Sequence, residues 1–269
     1  MLYQQFLNES LKEAASIATE NFGKVAGFIK GSDNNQVLTE TDIAIGKLLV
    51  EKVKRTYPTY NIIDEEAGVV DNGSEYTWII DPIDGTSNFA SGVPTYGIMM
   101  GLLKNDTPIA GGVVNPYFKD ICIAEKGQGT YLNGEKINVT NEAKLSNCLV
   151  AYHIDGHQEN PQQTKDEAKI FAEIVLAIRN MRNTGCEPVD AVWVAKGSYG
   201  ALLNHSMKIW DAVAPQIIIE EAGGIYTDFF GKVIDYTNPL SKTEQNFTSC
   251  AASPTLHKQL QEIIHKTTI

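Results

Sequence analysis

Trp78-Ile79-Ile80-Asp81-Pro82-Ile83-Asp84-Gly85-Thr86-Ser87-Asn88-Phe89 is the stretch from which the rest of the chain can be read. Its apolar run, residues 78–80, reads as a buried strand. An acid and a proline stop the run, and a second acid follows three residues after the first. Gly85, Thr86 and Ser87 then suit a turn and a helix start. Two carboxylates thus stand at a strand end, beside the backbone N–H groups of a helix start. Carboxylate oxygens suit Mg²⁺ and a helix N-terminus suits phosphate. Metal and phosphate held side by side are the requirements of phosphoryl chemistry.

Working outward, residues 2–22 carry Leu2, Phe6, Leu11, Ala14, Ala15, Ile17 and Ala18 near helical spacing. Residues 30–35 form a polar loop, and a second helix is predicted over 42–57, capped by Thr39 or Thr41 and closed by Pro58. A short strand over 60–63 leads into Asp64-Glu65-Glu66. Strand-like runs over 96–103, 109–114, 120–125 and 130–132 are punctuated by Asn105-Asp106, Asn115-Pro116 and Asn133-Gly134, so this half is strand-rich and antiparallel. From about residue 145 the pattern becomes mixed. A strand is predicted over 149–152, a helix over 164–181 and helical or mixed structure over 189–199. Another strand over 201–203, a helix over 210–222, a strand over 224–228 and a last helix over 253–267 complete it. No linker marks separate domains, and no repeat has a fixed period.

The 269 residues suffice for a substantial core, and 43% hydrophobic with 20% charged residues fits a soluble globular chain. No apolar stretch approaches the roughly 20 residues that span a bilayer, and residues 1–6 do not begin a signal peptide. Cys122, Cys148, Cys186 and Cys250 are far apart, which favours reduced thiols in a cytoplasm over a zinc site. The net charge of −11 and the lack of a dense basic run argue against nucleic acid as a partner. Bound cations can still reverse the field locally for a small anionic molecule.

Acidic groups gather at four element boundaries: Asp42, Glu65-Glu66, Asp81 with Asp84, and Asp211. Asp42 and Asp211 each suit a helix cap, Glu65 and Glu66 a polar loop, and Pro215 the first turn of the helix that Asp211 opens. Asp81 and Asp84 resist such a reading, because two acids bracketing Pro-Ile repel unless a cation or a raised pKa intervenes.

Together these clusters resemble the inositol monophosphatase family of Mg²⁺-dependent phosphatases. The matching blocks are Thr39-Glu40-Thr41-Asp42, Asp64-Glu65-Glu66, Asp81-Pro82-Ile83-Asp84-Gly85-Thr86 and Trp210-Asp211-Ala212-Val213-Ala214, continued by Glu220-Glu221-Ala222-Gly223-Gly224. Their order and gaps cover nearly the whole chain. The resemblance implies an α+β fold, a layered αβαβα sandwich of the inositol monophosphatase/fructose-1,6-bisphosphatase type. Its N-terminal half, 1–143, would carry most metal ligands. Its C-terminal half, 144–269, would supply Asp211 and substrate contacts.

The resemblance assigns Glu65, Asp81 and the Ile83 carbonyl to one Mg²⁺, and Asp81, Asp84 and Asp211 to a second. A third, largely hydrated ion would lean on Glu65. Gly85 and Thr86 would offer N–H groups to the phosphate, Glu65 and Thr86 would orient a metal-bound water, and Asp42 would hold this network. Substrate contacts would come from Asp84, Gly85, Thr86, Gly185, Glu187, Asn204 and Asp211. The implied activity is phosphoric monoester hydrolysis of an inositol monophosphate-like metabolite, by a cytoplasmic, lithium-sensitive homodimer with no membrane partner. Fructose 1,6-bisphosphate and 3′-phosphoadenosine 5′-phosphate are the substrates of the same superfamily to weigh beside it.

Three positions depart from the family pattern. Arg182-Asn183-Thr184-Gly185-Cys186-Glu187-Pro188 places an acid, Glu187, where a small residue is usual. Asn204 stands where a Glu often touches a sugar hydroxyl. Asp64 replaces a more usual glycine and reads as a solvated strand end. Tyr152-His153-Ile154-Asp155-Gly156-His157 reads as a loop rather than a transition-metal site. A haloacid-dehalogenase phosphatase needs its two acids two residues apart, whereas Asp81 and Asp84 are three apart. A regulatory homologue without catalysis is expected to lose one of Glu65, Asp81, Asp84 and Asp211, and all four are present.

Overall fold

The computed structural model describes residues 2–29, 37–154, 156–157 and 160–267; the polar loop expected over 30–35 lies outside them. A two-stranded ribbon pairs β1 (Phe28–Ile29) with β2 (Val37–Leu38). The larger sheet holds β3 (Asn61–Asp64), β4 (Gly68–Val70), β5 (Tyr76–Asp84), β6 (Gly97–Lys104), β7 (Thr107–Asn115), β8 (Asp120–Glu125), β9 (Gly129–Leu132) and β10 (Glu135–Ile137). Its spatial order is β10-β9-β8-β7-β6-β5-β3-β4. All its pairings are antiparallel except β3 with β5. The smaller sheet runs β12 (Asn180–Arg182), β11 (Leu149–His153), β13 (Ala201–Met207), β15 (Phe247–Ala252), β14 (Ile225–Thr227), with β11 parallel to both its neighbours.

Three layers of helices enclose the two sheets. Helices α1 (Gln4–Asn21) and α2 (Glu40–Thr56) cover one face of the larger sheet, where Leu7, Leu11, Ile45 and Leu49 pack on Trp78, Ile80, Ile98 and Met100. Helices α5 (Glu187–Ala195) and α6 (Ile209–Glu221) lie between the sheets, touching Ile79, Met99 and Val113 on one side and Ala151, Leu202 and Ala251 on the other. Helices α4 (Pro161–Ala177) and α7 (Pro254–Thr267) cover the outer face of the smaller sheet through Ile170, Ile174, Leu256 and Leu260. This is the αβαβα sandwich, and it explains the unbroken apolar run in β5. Successive side chains point to opposite faces, and both faces are buried.

The central layer packs closely because two strands carry glycine beneath it. A Cβ on Gly101 would lie 2.7 Å from Val213 Cγ1, and one on Gly111 would lie 2.5 Å from Ile217 Cγ2. Only a residue without a side chain lets α6 approach this far.

Several boundaries differ from the sequence reading. β5 does not stop at Asp81 but continues to Asp84 through a register shift: Asp81 pairs with Met99 and Asp84 with Gly97. One extra residue on β5 makes a bulge, the position where a strand tolerates Pro82. The helix expected over 164–181 ends at Ala177, and β12 follows. Strands β1, β2, β4, β10 and β15 were not expected. Helix α6 begins at Ile209, so Asp211 is its third residue rather than its cap, and Pro215 falls in the second turn. Its ring removes the N–H that would bond the Asp211 carbonyl. Cys122, Cys148, Cys186 and Cys250 are all free and buried. Among the described residues, no helix is long and apolar enough to cross a membrane.

Candidate active site

The bulge at the end of β5 and the start of α6 meet between the layers. They bring carboxylate oxygens of Asp81, Asp84 and Asp211 within 4.8 Å of one another. Each carboxylate is oriented by its own backbone surroundings. Asp211 Oδ2 accepts the Lys208 N–H at 2.6 Å, the reciprocal bond of a helix start. Asp84 Oδ2 accepts the Glu187 N–H at 2.6 Å, from the first residue of α5. Asp81 Oδ1 is buried and has no hydrogen-bond partner.

The electrostatics show the strain of this grouping. Burial, then the charges of Glu65, Asp84 and Asp211, raise the Asp81 pKa well above the carboxylate range. Burial and the Asp84 charge push Asp211 up to about 7, against the Lys208 N–H. Burial pushes Asp84 up to about 6, opposed by His153, Cys186 and the Glu187 N–H. Asp81 and Asp211 also make a carboxyl–carboxyl contact, which needs a shared proton or a cation. The orphaned Asp81 oxygen and the all-oxygen donor set fit a hard divalent cation such as Mg²⁺. Glu65 stands outside the tight trio, at the end of β3, where its N–H donates to the Ile80 carbonyl at 3.2 Å. It is close enough to raise both Asp81 and Asp84.

Beside the trio, Gly85 adopts a left-handed conformation (φ 77°) and caps the six-residue helix α3 (Thr86–Ser91). The chain has no room for a larger residue there, since a Cβ would lie 2.9 Å from the Thr95 carbonyl oxygen. The Thr86 hydroxyl lies 2.8 Å from the Ile83 carbonyl oxygen and 3.2 Å from Asp42 Oδ1. Asp42 is the third residue of α2. Thr39 is the cap, accepting from the Thr41 and Asp42 N–H groups and bonding back to Asp42 through its own N–H and hydroxyl. Burial raises the Asp42 pKa, against the pull of the Thr39 bonds. Asp64 is buried, not a solvated strand end, and Oδ1 accepts the N–H groups of Glu66 and Ala67. It thereby shapes the turn that carries Glu65.

The two departures at Glu187 and Asn204 prove to be partners. Asn204 Nδ2, on β13, donates to Glu187 Oε2 at 2.9 Å, and both side chains are buried. A carboxylate expected on β13 is delivered from α5 instead. Glu187 Oε2 also faces His153 Nδ1 at 3.6 Å, and His153 Nε2 meets Asp190 Oδ2 at 2.7 Å. Burial pushes Glu187 up to about 8, because His153 and Asn204 only partly offset the lost hydration. Burial opposes the His153 charge, but the Asp190 bond and the Glu187 charge outweigh it and raise its pKa to about 9. Gly185 (φ 62°) is exposed on the loop before α5.

His153 and Asp190 were missed by the sequence reading. The segment 152–157 read as a loop, yet Tyr152 and His153 end β11. Asp155 lies outside the described residues. Alternation along β11 places His153 on the same side as Ala151, toward α5. A usable signal existed, because Glu187 and Asp190 stand three apart on a short helix and so share a face.

The fold and the carboxylate grouping define a layered α+β protein of the phosphatase type, with its acids at the junction of the layers. The chain belongs to the inositol monophosphatase family, whose profile matches residues 3–268. It is 33% identical over 212 residues to a fructose-1,6-bisphosphatase/inositol-1-monophosphatase of Aquifex aeolicus, covering 78% of this chain and 80% of that one. It is 34% identical over 234 residues to a putative Nus factor SuhB of Neisseria meningitidis, covering 84% and 88% respectively. The solved structure of a Thermotoga maritima IMPase superposes with a TM-score of 0.85 at 26% identity, covering 100% of this chain and 98% of that one.

Proposed function

We propose that this protein is a Mg²⁺-dependent phosphomonoesterase that hydrolyses a small phosphorylated metabolite of the inositol monophosphate kind, with water as nucleophile. The observation that carries this reading is the Asp81, Asp84 and Asp211 cluster with its orphaned Asp81 oxygen. Glu65, Asp81 and the Ile83 carbonyl are assigned to one ion, and Asp81, Asp84 and Asp211 to a second. Two or three Mg²⁺, when bound, supply Lewis-acid activation of water and neutralise charge on the leaving oxygen.

The chain's own groups then have separate tasks. The backbone N–H groups of Gly85 and Thr86 hold phosphate oxygens. Thr86 directs its hydroxyl hydrogen to the Ile83 carbonyl or to Asp42, which leaves its oxygen to accept a hydrogen from the attacking water. Glu65 orients the same water, and buried Asp42 keeps Thr86 in place. Gly185, Glu187 and Asn204 are assigned to the alcohol half of the substrate, Glu187 and Asn204 as one hydrogen-bonded unit. A cytoplasmic homodimer belongs to the same proposal.

The test is phosphate release from inositol 1-phosphate, fructose 1,6-bisphosphate and 3′-phosphoadenosine 5′-phosphate, with Mg²⁺ and with chelator. Release that requires Mg²⁺ supports the reading, and inositol 1-phosphate is expected to turn over best. Absence of release from every phosphomonoester tried, with Mg²⁺ present, overturns it. A second reading, a regulatory role without catalysis, is favoured by the relative named as a Nus factor. Retention of Glu65, Asp81, Asp84 and Asp211 speaks against it. The net charge of −11 bears only on contact with a polyanion and leaves protein partners open.

A further inference from the structure

His153 is 11% exposed and touches none of the three clustered carboxylates through any hydrogen bond, yet it stands at the head of a chain of contacts that ends on Asp84. Its Nε2 meets Asp190 Oδ2 at 2.7 Å. The same oxygen accepts the Thr184 hydroxyl at 2.7 Å. Asp190 is fully buried, and its N–H donates to the Cys186 carbonyl at 3.3 Å. These contacts tie the first turn of α5 to the loop before it.

That loop is held at its other edge by α3, where Asn88 Nδ2 donates to the Thr184 carbonyl at 2.8 Å. Glu187, the first residue of α5, is braced by Asn204 at 2.9 Å and gives its N–H to Asp84 Oδ2 at 2.6 Å. Three layers of the sandwich therefore converge on one carboxylate. The smaller sheet contributes His153 and Asn204, the central layer Asp190 and Glu187, and the larger sheet Asp84.

We infer that His153 is a positioning residue for Asp84: through Asp190 it fixes the first turn of α5, and the Glu187 N–H at the start of that turn fixes the Asp84 carboxylate. The inference rests on the proposed reading of Asp84 as a metal ligand. A carboxylate that must face a small cation in near-octahedral geometry tolerates little reorientation. Partners that orient a ligand from outside the coordination sphere set metal affinity by about 10–100-fold. His153 thus governs Mg²⁺ affinity from a position where it touches neither metal nor phosphate.

The contact that matters is the one through Nε2. A glutamine side chain reaches about as far as Nε2 and carries a donor there, whereas asparagine reaches only about as far as Nδ1. The test is a Mg²⁺ titration of the full chain without substrate, read by thermal unfolding, for the parent, His153→Gln, His153→Asn, His153→Ala and Asp190→Asn. Each variant's metal-free unfolding serves as its own baseline, so a loss of stability is separated from a loss of metal binding. The Mg²⁺ concentration that gives a fixed gain in stability over the metal-free baseline should rise at least about tenfold in His153→Asn and His153→Ala. His153→Gln should stay within about threefold of the parent.

Asp190→Asn keeps an oxygen for His153 but loses the charge, and should fall between the two groups. If His153→Ala does not fold, the comparison of the Gln and Asn variants decides the matter. Parent-like Mg²⁺ titration in His153→Ala or His153→Asn overturns the inference, as does an equal shift in the Gln and Asn variants. A parent protein that Mg²⁺ does not stabilise at all overturns the reading of Asp84 as a ligand instead.

Discussion

Replacing Asp211 by asparagine separates a metal ligand from a helix start in one experiment. Asp211 accepts the Lys208 N–H at 2.6 Å, and asparagine keeps an oxygen for that bond. What changes is charge. In the metal-free protein, burial and then Asp84 raise the Asp211 pKa from 3.8 to about 7. A raised carboxylate pKa means that the folded state binds the proton more tightly than the unfolded chain does. Ionised Asp211 therefore destabilises the metal-free fold above the unfolded pKa, increasingly up to pH 7. The shift of about three pH units corresponds to at most about 4 kcal/mol at pH 8. That is an upper bound, because Asp211 keeps part of its surface in water and shares its contact with Asp81.

In chelator at pH 8, Asp211→Asn should therefore unfold at a higher temperature than the parent, by about 2–4 °C for each kcal/mol relieved. The advantage should shrink as pH falls from 7 toward 4, where the parent acquires the proton that neutralises Asp211. With Mg²⁺ the order should reverse. The parent gains stability by mass action, about 2.7 kcal/mol at a hundredfold excess over its dissociation constant, and the variant gains less. Phosphate release should drop at least about 100-fold, the scale of a lost electrostatic contact to the reacting group. A variant that loses stability in chelator while keeping Mg²⁺-dependent turnover would show Asp211 to be only part of a helix start.

Thr86→Ala should lower kcat by at least about tenfold while changing KM by less than about threefold, because the backbone N–H groups that hold phosphate remain. Steady-state kinetics on the best substrate check this, and an unchanged kcat removes the hydroxyl from the chemistry. Gly111→Ala should cost about 1–3 kcal/mol, since its Cβ would lie 2.5 Å from Ile217 Cγ2 and 3.1 Å from the Ala214 Cα. Denaturant unfolding in chelator measures the loss, and parent stability would mean that α6 can move away from β7.

What the sequence disclosed followed how locally each feature is encoded. The alternation of apolar residues in α1 and α2 is complete within each helix, so both were legible to within two residues. Asp81 and Asp84 were legible because two acids around a proline after an apolar run have few bland explanations. The end of β5 was not, because a bulge is set by pairing with β6 rather than by the strand's own residues. β15 was missed because Phe247-Thr248-Ser249-Cys250-Ala251-Ala252 lacks β-branched alternation. It is a strand because β13 and β14 flank it and both its faces are buried. Asp211 follows Asp84 by 127 residues, and only the order of four motif blocks suggested their meeting.

Glu187 and Asn204 show where reading a chain residue by residue fails. Taken singly, an acid in place of a small residue and an amide in place of an acid each weaken the case for substrate contact. They are 17 positions apart on different elements, and nothing in their local sequence links them. Across the gap between α5 and β13 they form one 2.9 Å hydrogen bond, so a carboxylate is kept in the wall while the element that supplies it changes. The exchange carries a cost. An acid at the first position of α5 is buried beside Asp84 and needs a nearby positive charge. His153, on the adjoining strand, stands 3.6 Å from it. Two residues that looked like unrelated departures and one that read as part of a loop are thus one electrostatic unit. A substitution at any one of them should be judged with the other two in place, because removing His153 alone leaves two buried acids, Glu187 and Asp190, without the imidazole that contacts both.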